Sequence, residues 1–222
     1  VCQRIDDLFP PKPVSDTRAP EVLRLDGFGG ADSLKDVSIV LRKGQIVGLG
    51  GLDGQGQGSV LHGLFGLLKG TEGRCVVDGQ PVTVAHPKQA KDPKLGIALV
   101  PEDRKTEGLI LDQSIARNLE LAALGTEGIN AADPAIYQPF LDALELKCDS
   151  LDQPVSQLSG GNQQKVALTK WLALGPRCML LADPTRGIDV KTKTQIFALM
   201  RRLADSGLAI LLVSTDYEEL IH

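Results

Sequence analysis

Residues 48–59 read Gly-Leu-Gly-Gly-Leu-Asp-Gly-Gln-Gly-Gln-Gly-Ser and join a short apolar run to a segment with helical spacing. The apolar run is Gln45–Leu49. The segment Ser59–Leu68 carries apolar residues three and four positions apart. A strand that leads through a glycine-rich turn into a helix is typical of an α/β fold with a parallel sheet. The sequence therefore predicts an α/β class protein with a mainly parallel sheet core.

Apolar runs and helical patterns continue to alternate along the rest of the chain. The runs Val22–Leu25 and Val37–Leu41 predict an antiparallel β layer, and Asp78-Gly79 predicts a hairpin turn. The other predicted strands are Arg74–Val77, Pro81–Val84, Ile97–Val100, Cys178–Leu181 and Leu208–Val213, and Val190–Leu203 is a predicted helix. Ser114–Leu124 and Ala131–Leu146 also have helical patterns, with no convincing strand near them. We therefore expect an inserted α-helical subdomain over about residues 110–170.

Composition limits the classes of function. A chain of 222 residues with 42% hydrophobic and 23% charged residues is of ordinary globular composition. Its net charge of −4 argues against sequence-independent binding of nucleic acid, which needs a basic face. The four cysteines form no CxxC pair, which favours isolated buried thiols over a metal or redox role. Residues 1–20 hold four prolines and are predicted to be a linker from a preceding domain, followed by one domain over 21–222.

The glycine-rich turn has the chemistry of an anion cradle, because consecutive backbone N–H groups and a helix N-terminus both favour negative charge. The phosphate-loop pattern is GxxxxGK[ST], and Gly51 and Gly56 fit its glycines. Gln57 stands at the lysine position, Gly58 at the Ser/Thr position, and Ser59 comes one residue late. Tight packing of the strand on the helix explains the glycines equally well. The candidate phosphate contacts are Gly51, Gly54, Gly56, Gln57, Gly58 and Ser59.

A second motif, Leu158–Val166, reads LSGGNQQKV and predicts a helix start in which Ser159 is the cap and two glycines expose the first N–H groups. This stretch resembles the signature motif of ABC-transporter ATP-binding domains. Leu180–Asp189 resembles the Walker B strand and D-loop of that family, Pro101–Leu109 its Q-loop region, and Val213–Asp216 its switch loop. The motifs GGNQQK, PEDRK and PTRGID together look like the second ATP-binding domain of bacterial sugar importers of the ribose, xylose and galactose type, with nucleoside relatives. The resemblance covers about residues 21–222.

The resemblance implies a P-loop ABC ATPase fold that uses ATP and Mg²⁺. It also implies integral-membrane permease subunits, an N-terminal ATP-binding domain on the same polypeptide and, indirectly, a periplasmic sugar-binding protein as partners, with no nucleic acid. The implied location is cytoplasmic, at the inner (plasma) membrane. The residues expected at the signature side of an ATP site are Ser159, Gly160, Gly161, Gln163 and Asp189.

Four positions depart from the family pattern. Ala182 stands where the family has the Walker B Asp, and Asp183 stands where it has the Glu that polarises water. Thr215 occupies the switch-loop His position and Glu102 the Q-loop Gln position. Phosphoryl transfer needs such groups for charge neutralisation and water positioning, so no intact metal site is expected. The resemblance thus implies a degenerate ATP site beside a complete signature that can serve a partner domain.

Two other classes of function stay open on the sequence. One is a non-catalytic module that docks a permease, dimerises and binds no nucleotide. The other is an ABC ATPase that acts on DNA or ribosomes, against which the pI of about 5.4 and the short helical insertion count. We expect permease contacts from Glu102–Leu109, including Arg104 and Lys105, and from Ser114–Leu121. Phe28 is a candidate for stacking on adenine, although an ordinary packing role is favoured.

Overall fold

The computed structural model describes residues 9–10, 17–30, 34–52 and 54–221. The strands are β1 (Glu21–Gly29), β2 (Val37–Arg42), β3 (Ile46–Leu49), β4 (Glu72–Val77), β5 (Gln80–Val82), β6 (Ile97–Val100), β7 (Cys178–Ala182) and β8 (Ala209–Val213). The α-helices are α1 (Gln57–Leu64), α2 (Pro87–Ala90), α3 (Ile115–Ala123), α4 (Gln138–Ala143), α5 (Gly160–Leu172), α6 (Val190–Asp205) and α7 (Tyr217–Ile221). A π-helical segment covers Arg104–Gly108, and 3-10 turns cover Pro134–Ile136 and Val155–Gln157.

The strands form two sheets. One is antiparallel in the order β2-β1-β4-β5, and the other is parallel in the order β3-β8-β7-β6. This arrangement confirms the predicted fold class, a parallel sheet core with an antiparallel layer and helices. All four strands of the second sheet point the same way, so their carboxyl ends meet at one edge.

Strands β6, β7 and β8 of the parallel sheet are almost fully buried, as their continuous apolar runs indicate, whereas the edge strand β3 is partly exposed. Alternate residues of β7 face opposite cores: Cys178, Leu180 and Ala182 pack with α1 and the antiparallel sheet, whereas Met179 and Leu181 pack with α5 and α6. The two cores fix the sheet between its helices, and with it the position of the strand ends.

A third core holds the helical region together. It includes Leu109, Ile115, Val155, Val166 and Ala167, so it joins the end of the π-helical segment to α3 and α5. Asn118 of α3 is fully buried beside it. Its amide accepts from the N–H of residue 110 at 2.8 Å and donates to the carbonyl of the same residue at 2.9 Å.

The predicted helix over Ala131–Leu146 is wrong. The structure has a 3-10 turn at Pro134–Ile136, the short α4, and Glu145 in the left-handed region at φ 51°. Pro139 explains the interruption, because a proline has no N–H for a continuous helix and is tolerated only in a first turn, where it stands in α4.

Two other predicted boundaries concern the end of α1 and the linker over residues 1–20. Helix α1 ends at Leu64 rather than Leu68, and Gly66, at φ 77°, turns the chain away. Of the predicted linker, residues 1–8 and 11–16 lie outside the described residues. In the part that is described, the Phe9 ring lies 4.9 Å from that of Phe197 in α6, and the carbonyl of Pro20 accepts from the Lys43 N–H at 2.9 Å. The division into linker and domain stays a prediction.

Candidate functional site

A pocket of about 260 Å³ opens at the carboxyl edge of the parallel sheet. Leu49, Ala182 and Val213, which end β3, β7 and β8, all line it. Ligands of open α/β sheets bind at this edge, because the loops that follow the strands converge there. The pocket brings together sequence-predicted site residues from four loops: Gly51, Gly54, Gly56, Gln57, Gly58, Ser59, Glu102, Asp183 and Thr215.

The glycine turn keeps the backbone shape of a phosphate cradle. Gly56 precedes α1 with φ 97°, a left-handed conformation that glycine adopts without strain, and no side chain caps the helix. A Cβ at Gly54 or at Gly58 would meet no atom within 4 Å, so the turn is open on that side. The N–H groups of the first turn of a helix have no partner within the helix, and the first residues of α1, Gln57, Gly58 and Ser59, line the pocket. The backbone therefore fits a phosphate group.

The Gln57 side chain folds back onto the glycine turn. Its amide donates to the carbonyl of Leu52 at 3.2 Å, and any side chain at Gly51 would overlap with it. A lysine at this position of a phosphate loop instead extends to the β- and γ-phosphates. Gln57 thus replaces a cation by a neutral amide that bonds the loop to itself.

Asp183 and Thr215 bond each other directly. The Asp183 carboxylate accepts from the Thr215 N–H at 2.7 Å and from its hydroxyl at 3.1 Å through the same oxygen, Oδ1. Asp183 is also held in the left-handed region, at φ 42°, which Asp tolerates better than most residues. The Asp183 carboxylate is therefore bonded through Oδ1 to Thr215, just after the end of β8, although Asp183 also lines the pocket.

The charged side chains that line the pocket are mainly acidic. Among the described residues that line it, Glu102 and Asp183 are acidic, His62 is also present, and none is a lysine or an arginine. Glu102 forms an ion pair with Arg186, which takes up part of this charge. Across the described ranges, no group of three or more His, Cys, Asp or Glu residues is placed to hold a metal ion. A side-chain cation for a phosphate and a cluster of metal ligands are therefore both lacking among the described residues of the pocket.

Behind the pocket lies a buried carboxylate that sequence reasoning missed. The Glu219 side chain, 2% exposed, accepts from the hydroxyls of Thr185 at 2.5 Å and Ser214 at 2.8 Å, and from Lys193 Nζ at 2.8 Å. It thereby fixes the turn after β7 and the end of β8 to α6. Its place in the short α7 gave no local signal, since two of its three partners, Thr185 and Lys193, are distant in sequence.

The signature motif lies outside this pocket, at the start of α5. Ser159 is the N-cap residue, and its hydroxyl accepts from the Asn162 side-chain amide at 3.2 Å and, at 3.4 Å, from its backbone N–H. Gly161 packs against α6, because a Cβ there would come within 2.6 Å of Thr192 Oγ1 and 3.2 Å of Asp189 Oδ2. None of the signature residues Ser159, Gly160 and Gly161 is among the described residues that line the pocket. The signature motif and the pocket therefore occupy different places on this chain.

Two of the signature-side candidates have structural contacts. Gln163 is 5% exposed, and its amide donates to the carbonyls of Val155 at 3.3 Å and Leu158 at 3.2 Å. Asp189 is the N-cap of α6, and its hydrogen bonds from the Thr192 hydroxyl and N–H hold the pKa of its carboxyl below the ordinary value. Ligand contact stays a prediction for both, and the buried position of Gln163 counts against it.

The two cations predicted to contact a permease, Arg104 and Lys105, are neighbours in the π-helical segment Arg104–Gly108 but have different surroundings. Lys105 is exposed, as expected for a partner contact. Arg104 instead turns inward, toward the turn after β7, where Nη1 donates to the carbonyl of Arg186 at 3.1 Å. At the other end of the segment, the buried Lys170 of α5 donates to the carbonyl of Gly108, and burial lowers the pKa of Lys170 to about 8.

The remaining aromatic candidate, Phe28, is 6% exposed and belongs to the core between the two sheets. Its ring approaches Gly63 of α1, where a Cβ would come within 2.9 Å of it. It is not among the described residues that line the pocket at the strand ends, so its contacts are those of the favoured packing role. Adenine stacking stays a prediction, and the burial of Phe28 counts against it.

The fold and the two motifs define an ATP-binding cassette. Two solved structures share the architecture: a nucleotide-free ATP-binding cassette from an ABC transporter (TM-score 0.75, 20% identity, 90% of this chain and 84% of that one) and a dimeric post-hydrolysis cassette with ADP and phosphate (TM-score 0.74, 25% identity, 88% of each). A family model described as "ABC transporter" matches residues 34–186. The chain belongs to the ABC transporter family.

Curated relatives with higher sequence identity are named as ribose import proteins. The chain is 49% identical to a ribose import ATP-binding protein of Mesorhizobium japonicum over 96% of its length, and 37% identical to one of Geobacillus kaustophilus over its full length. It spans less than half of these relatives, 43% and 45% of their lengths. Among the described residues, no helix combines the length and apolar character needed to cross a membrane.

Proposed function

We propose that this chain is an energy-coupling ATP-binding domain of a bacterial importer for a ribose-type simple sugar. The proposal draws on family membership and on relatives named for ribose import. In this reading residues 1–20 link it to an N-terminal ATP-binding domain of the same polypeptide, and residues 21–222 form the second domain. The protein works at the cytoplasmic face of the inner membrane with permease subunits, and a periplasmic sugar-binding protein delivers the substrate.

The chain's own ATP site is weak. Gln57 bonds to Leu52 rather than presenting a cation, and the Asp183 carboxylate is already bonded to Thr215. A lost charge-assisted contact is worth about 1.5–3 kcal/mol, or roughly ten- to hundredfold in affinity. Mg²⁺, when bound with ATP, would neutralise phosphate charge, and the described residues of this pocket offer it no cluster of ligands. ATP hydrolysis at this site is therefore expected to be negligible.

The signature serves a partner's ATP site. The observation that carries the proposal is the separation of a complete Ser-Gly-Gly helix start from a defective pocket on the same chain. Ser159 and the N–H groups of Gly160 and Gly161 can bind a γ-phosphate held by the phosphate loop of another domain. That site needs nothing from Gln57 or Asp183.

Substitutions in the full-length ATPase test this assignment. Ser159→Arg should abolish transport-coupled hydrolysis, whereas Gln57→Ala and Asp183→Asn should change it far less. Gly161→Asp is a poorer variant, because its side chain would collide with Thr192 and add charge beside Asp189. Equal losses at the pocket and at the signature, or a larger loss at the pocket, would show that the working site is the one on this chain.

Permease docking is expected along the π-helical segment and α3. Lys105 and Arg117 are exposed there, while Asn118 of the same helix is buried, so only one face of α3 is available. Single cysteines at Lys105 and at Arg117 should crosslink to the permease, and one at Lys94, an exposed residue elsewhere, should not. Crosslinking from Lys94 alone would place the interface on another face.

A second candidate is a docking and dimerisation module that binds no nucleotide. The self-bonded Gln57 and the Asp183–Thr215 pair favour it, because both consume groups that a nucleotide would need. Equilibrium binding of a fluorescent ATP analogue to the full chain separates the two candidates. The measurement is repeated after Gln57→Lys, Gly58→Ser, Ala182→Asp and Thr215→His. Weak binding that becomes stronger after these changes supports the ATP-binding domain. No binding before or after them supports the module.

A further inference from the structure

The Arg104 side chain joins two parts of the fold that are distant in sequence. Its Nη1 donates to the carbonyl of Arg186, in the turn after β7, at 3.1 Å. Its Nη2 lies so close to Gly160 that a Cβ there would come within 2.7 Å of it. Because Gly160 is the first residue of α5, the guanidinium packs directly on the start of the signature helix.

The Arg186 end of this contact is itself tied to the pocket. Arg186 forms an ion pair with Glu102, which lines the pocket. Its backbone N–H also donates to the carbonyl of Asp183 at 3.0 Å. Contacts therefore run without a gap from the pocket through Arg186 and Arg104 to Gly160.

Arginine is the residue type that this position requires. Its planar fork can hold a carbonyl with one nitrogen while another lies against a glycine, whereas the single ammonium of lysine cannot do both. The Arg104 Nε is buried and, among the described residues, has no hydrogen-bond partner. Within the described part of the chain, the hydrogen bond to the Arg186 carbonyl at the tip is therefore the polar contact that fixes the guanidinium.

The segment that carries Arg104 is also fixed at its far end. Lys170 of α5 donates to the carbonyl of Gly108, the last residue of the segment. The π-helical segment is thus held against α5 by one cation at each end. Of the two, Arg104 is the one that reaches the signature.

We propose that Arg104 is a positioning residue for the signature, an inference that rests on the function proposed above. It holds the first turn of α5 against the Arg186–Gly187 turn, so that Ser159 and the adjacent N–H groups meet the γ-phosphate of ATP bound to the partner domain. The partner's phosphate loop supplies most of the ATP contacts. Loss of Arg104 therefore lowers turnover and leaves ATP affinity nearly unchanged.

The test measures kcat and KM for ATP in the full-length ATPase. Arg104→Met should lower kcat about tenfold, the lower limit for losing one charge-assisted hydrogen bond, with KM within twofold. Arg104→Lys should recover part of kcat. Arg202→Met is the matched control, since Arg202 of α6 also donates to a carbonyl, that of Ala143 at 3.4 Å, away from the signature. An unchanged kcat, or a loss that Arg202→Met reproduces, would overturn the proposal.

A double-mutant cycle with Gly160→Ala separates positioning from general destabilisation. The added methyl displaces the guanidinium, so Gly160→Ala should cost kcat in the wild-type background and little more once Arg104 is Met. Additive losses would refute the inference. Ser159→Arg separates this inference from the function on which it rests. If Ser159→Arg leaves hydrolysis intact, the proposed function is wrong. If it abolishes hydrolysis while Arg104→Met has no effect, only the role proposed for Arg104 is wrong.

Discussion

The buried Lys170 should make the stability of the fold depend on pH in an unusual direction. This side chain is 6% exposed and lies 5.7 Å from the Trp171 ring centre, with the Gly108 carbonyl as acceptor. Burial lowers its pKa from 10.5 to about 8. Between these two values the unfolded chain keeps the proton and the folded chain does not. Stability contributed by this group therefore rises with pH over that interval.

The size of the effect follows from the same two values. One pKa unit corresponds to about 1.4 kcal/mol, so the full interval from pH 8 to pH 10.5 is worth roughly 3 kcal/mol. Lys170→Met keeps the length of the side chain and removes the proton. The free energy of unfolding of the wild type, minus that of the variant, should rise by about 1.4 kcal/mol per pH unit above pH 8 and stay flat below it.

Urea unfolding of the full chain at half-unit steps from pH 7 to pH 10 measures this difference. Other groups titrate over the same range, but they are common to both proteins and cancel in the subtraction. Lys94→Met, at an exposed lysine, is the control for losing one positive charge. Parallel pH curves for the wild type and Lys170→Met would refute the argument, because they would mean that Lys170 keeps its proton in the folded state.

Three further changes have defined outcomes. Gln57→Lys should raise ATP affinity about tenfold in a fluorescent-nucleotide titration, because it restores the cation of the cradle; unchanged affinity would show that the cradle itself is defective. Asn118→Ala should lower the free energy of unfolding in urea by about 1–3 kcal/mol, since it removes a fully buried amide that accepts from the N–H of Ile110 and donates to its carbonyl, whereas Asn130→Ala, in a turn at the surface, should cost far less. Gly161→Ala should cost about 1–3 kcal/mol by the same measurement, through overpacking against Thr192; a neutral result would mean that α5 and α6 can separate there.

Local sequence signals predicted the strands and their order of alternation well. Strands β6, β7 and β8 are continuous apolar runs, and the hairpin at Asp78-Gly79 follows from its turn residues. The predicted helix over residues 131–146 is wrong because it rested on apolar spacing, which does not show the interruption at Pro139. Periodicity alone cannot show where a helix restarts.

The resemblance to ABC ATPases grouped the glycine turn with Glu102, Asp183 and Thr215 in one site, and these residues do line one pocket. It could not predict how the side chains use the site. Asp183 bonding to Thr215 and Arg104 bonding to Arg186 join residues that are distant in sequence, so they require the strands to set the loops side by side. Gln57 bonds within its own loop, to Leu52, and that contact depends on the conformation of the turn, which residue types alone do not fix.

The two bonds between Asp183 and Thr215 make these positions interdependent. Asp183 lies in the left-handed region and accepts from both the N–H and the hydroxyl of Thr215. A histidine at 215 would remove the hydroxyl and keep the N–H donor, whereas a glutamate at 183 would change the reach of the carboxylate toward both donors. Substitutions at the two positions should therefore be non-additive, because the effect of each one depends on the residue present at the other.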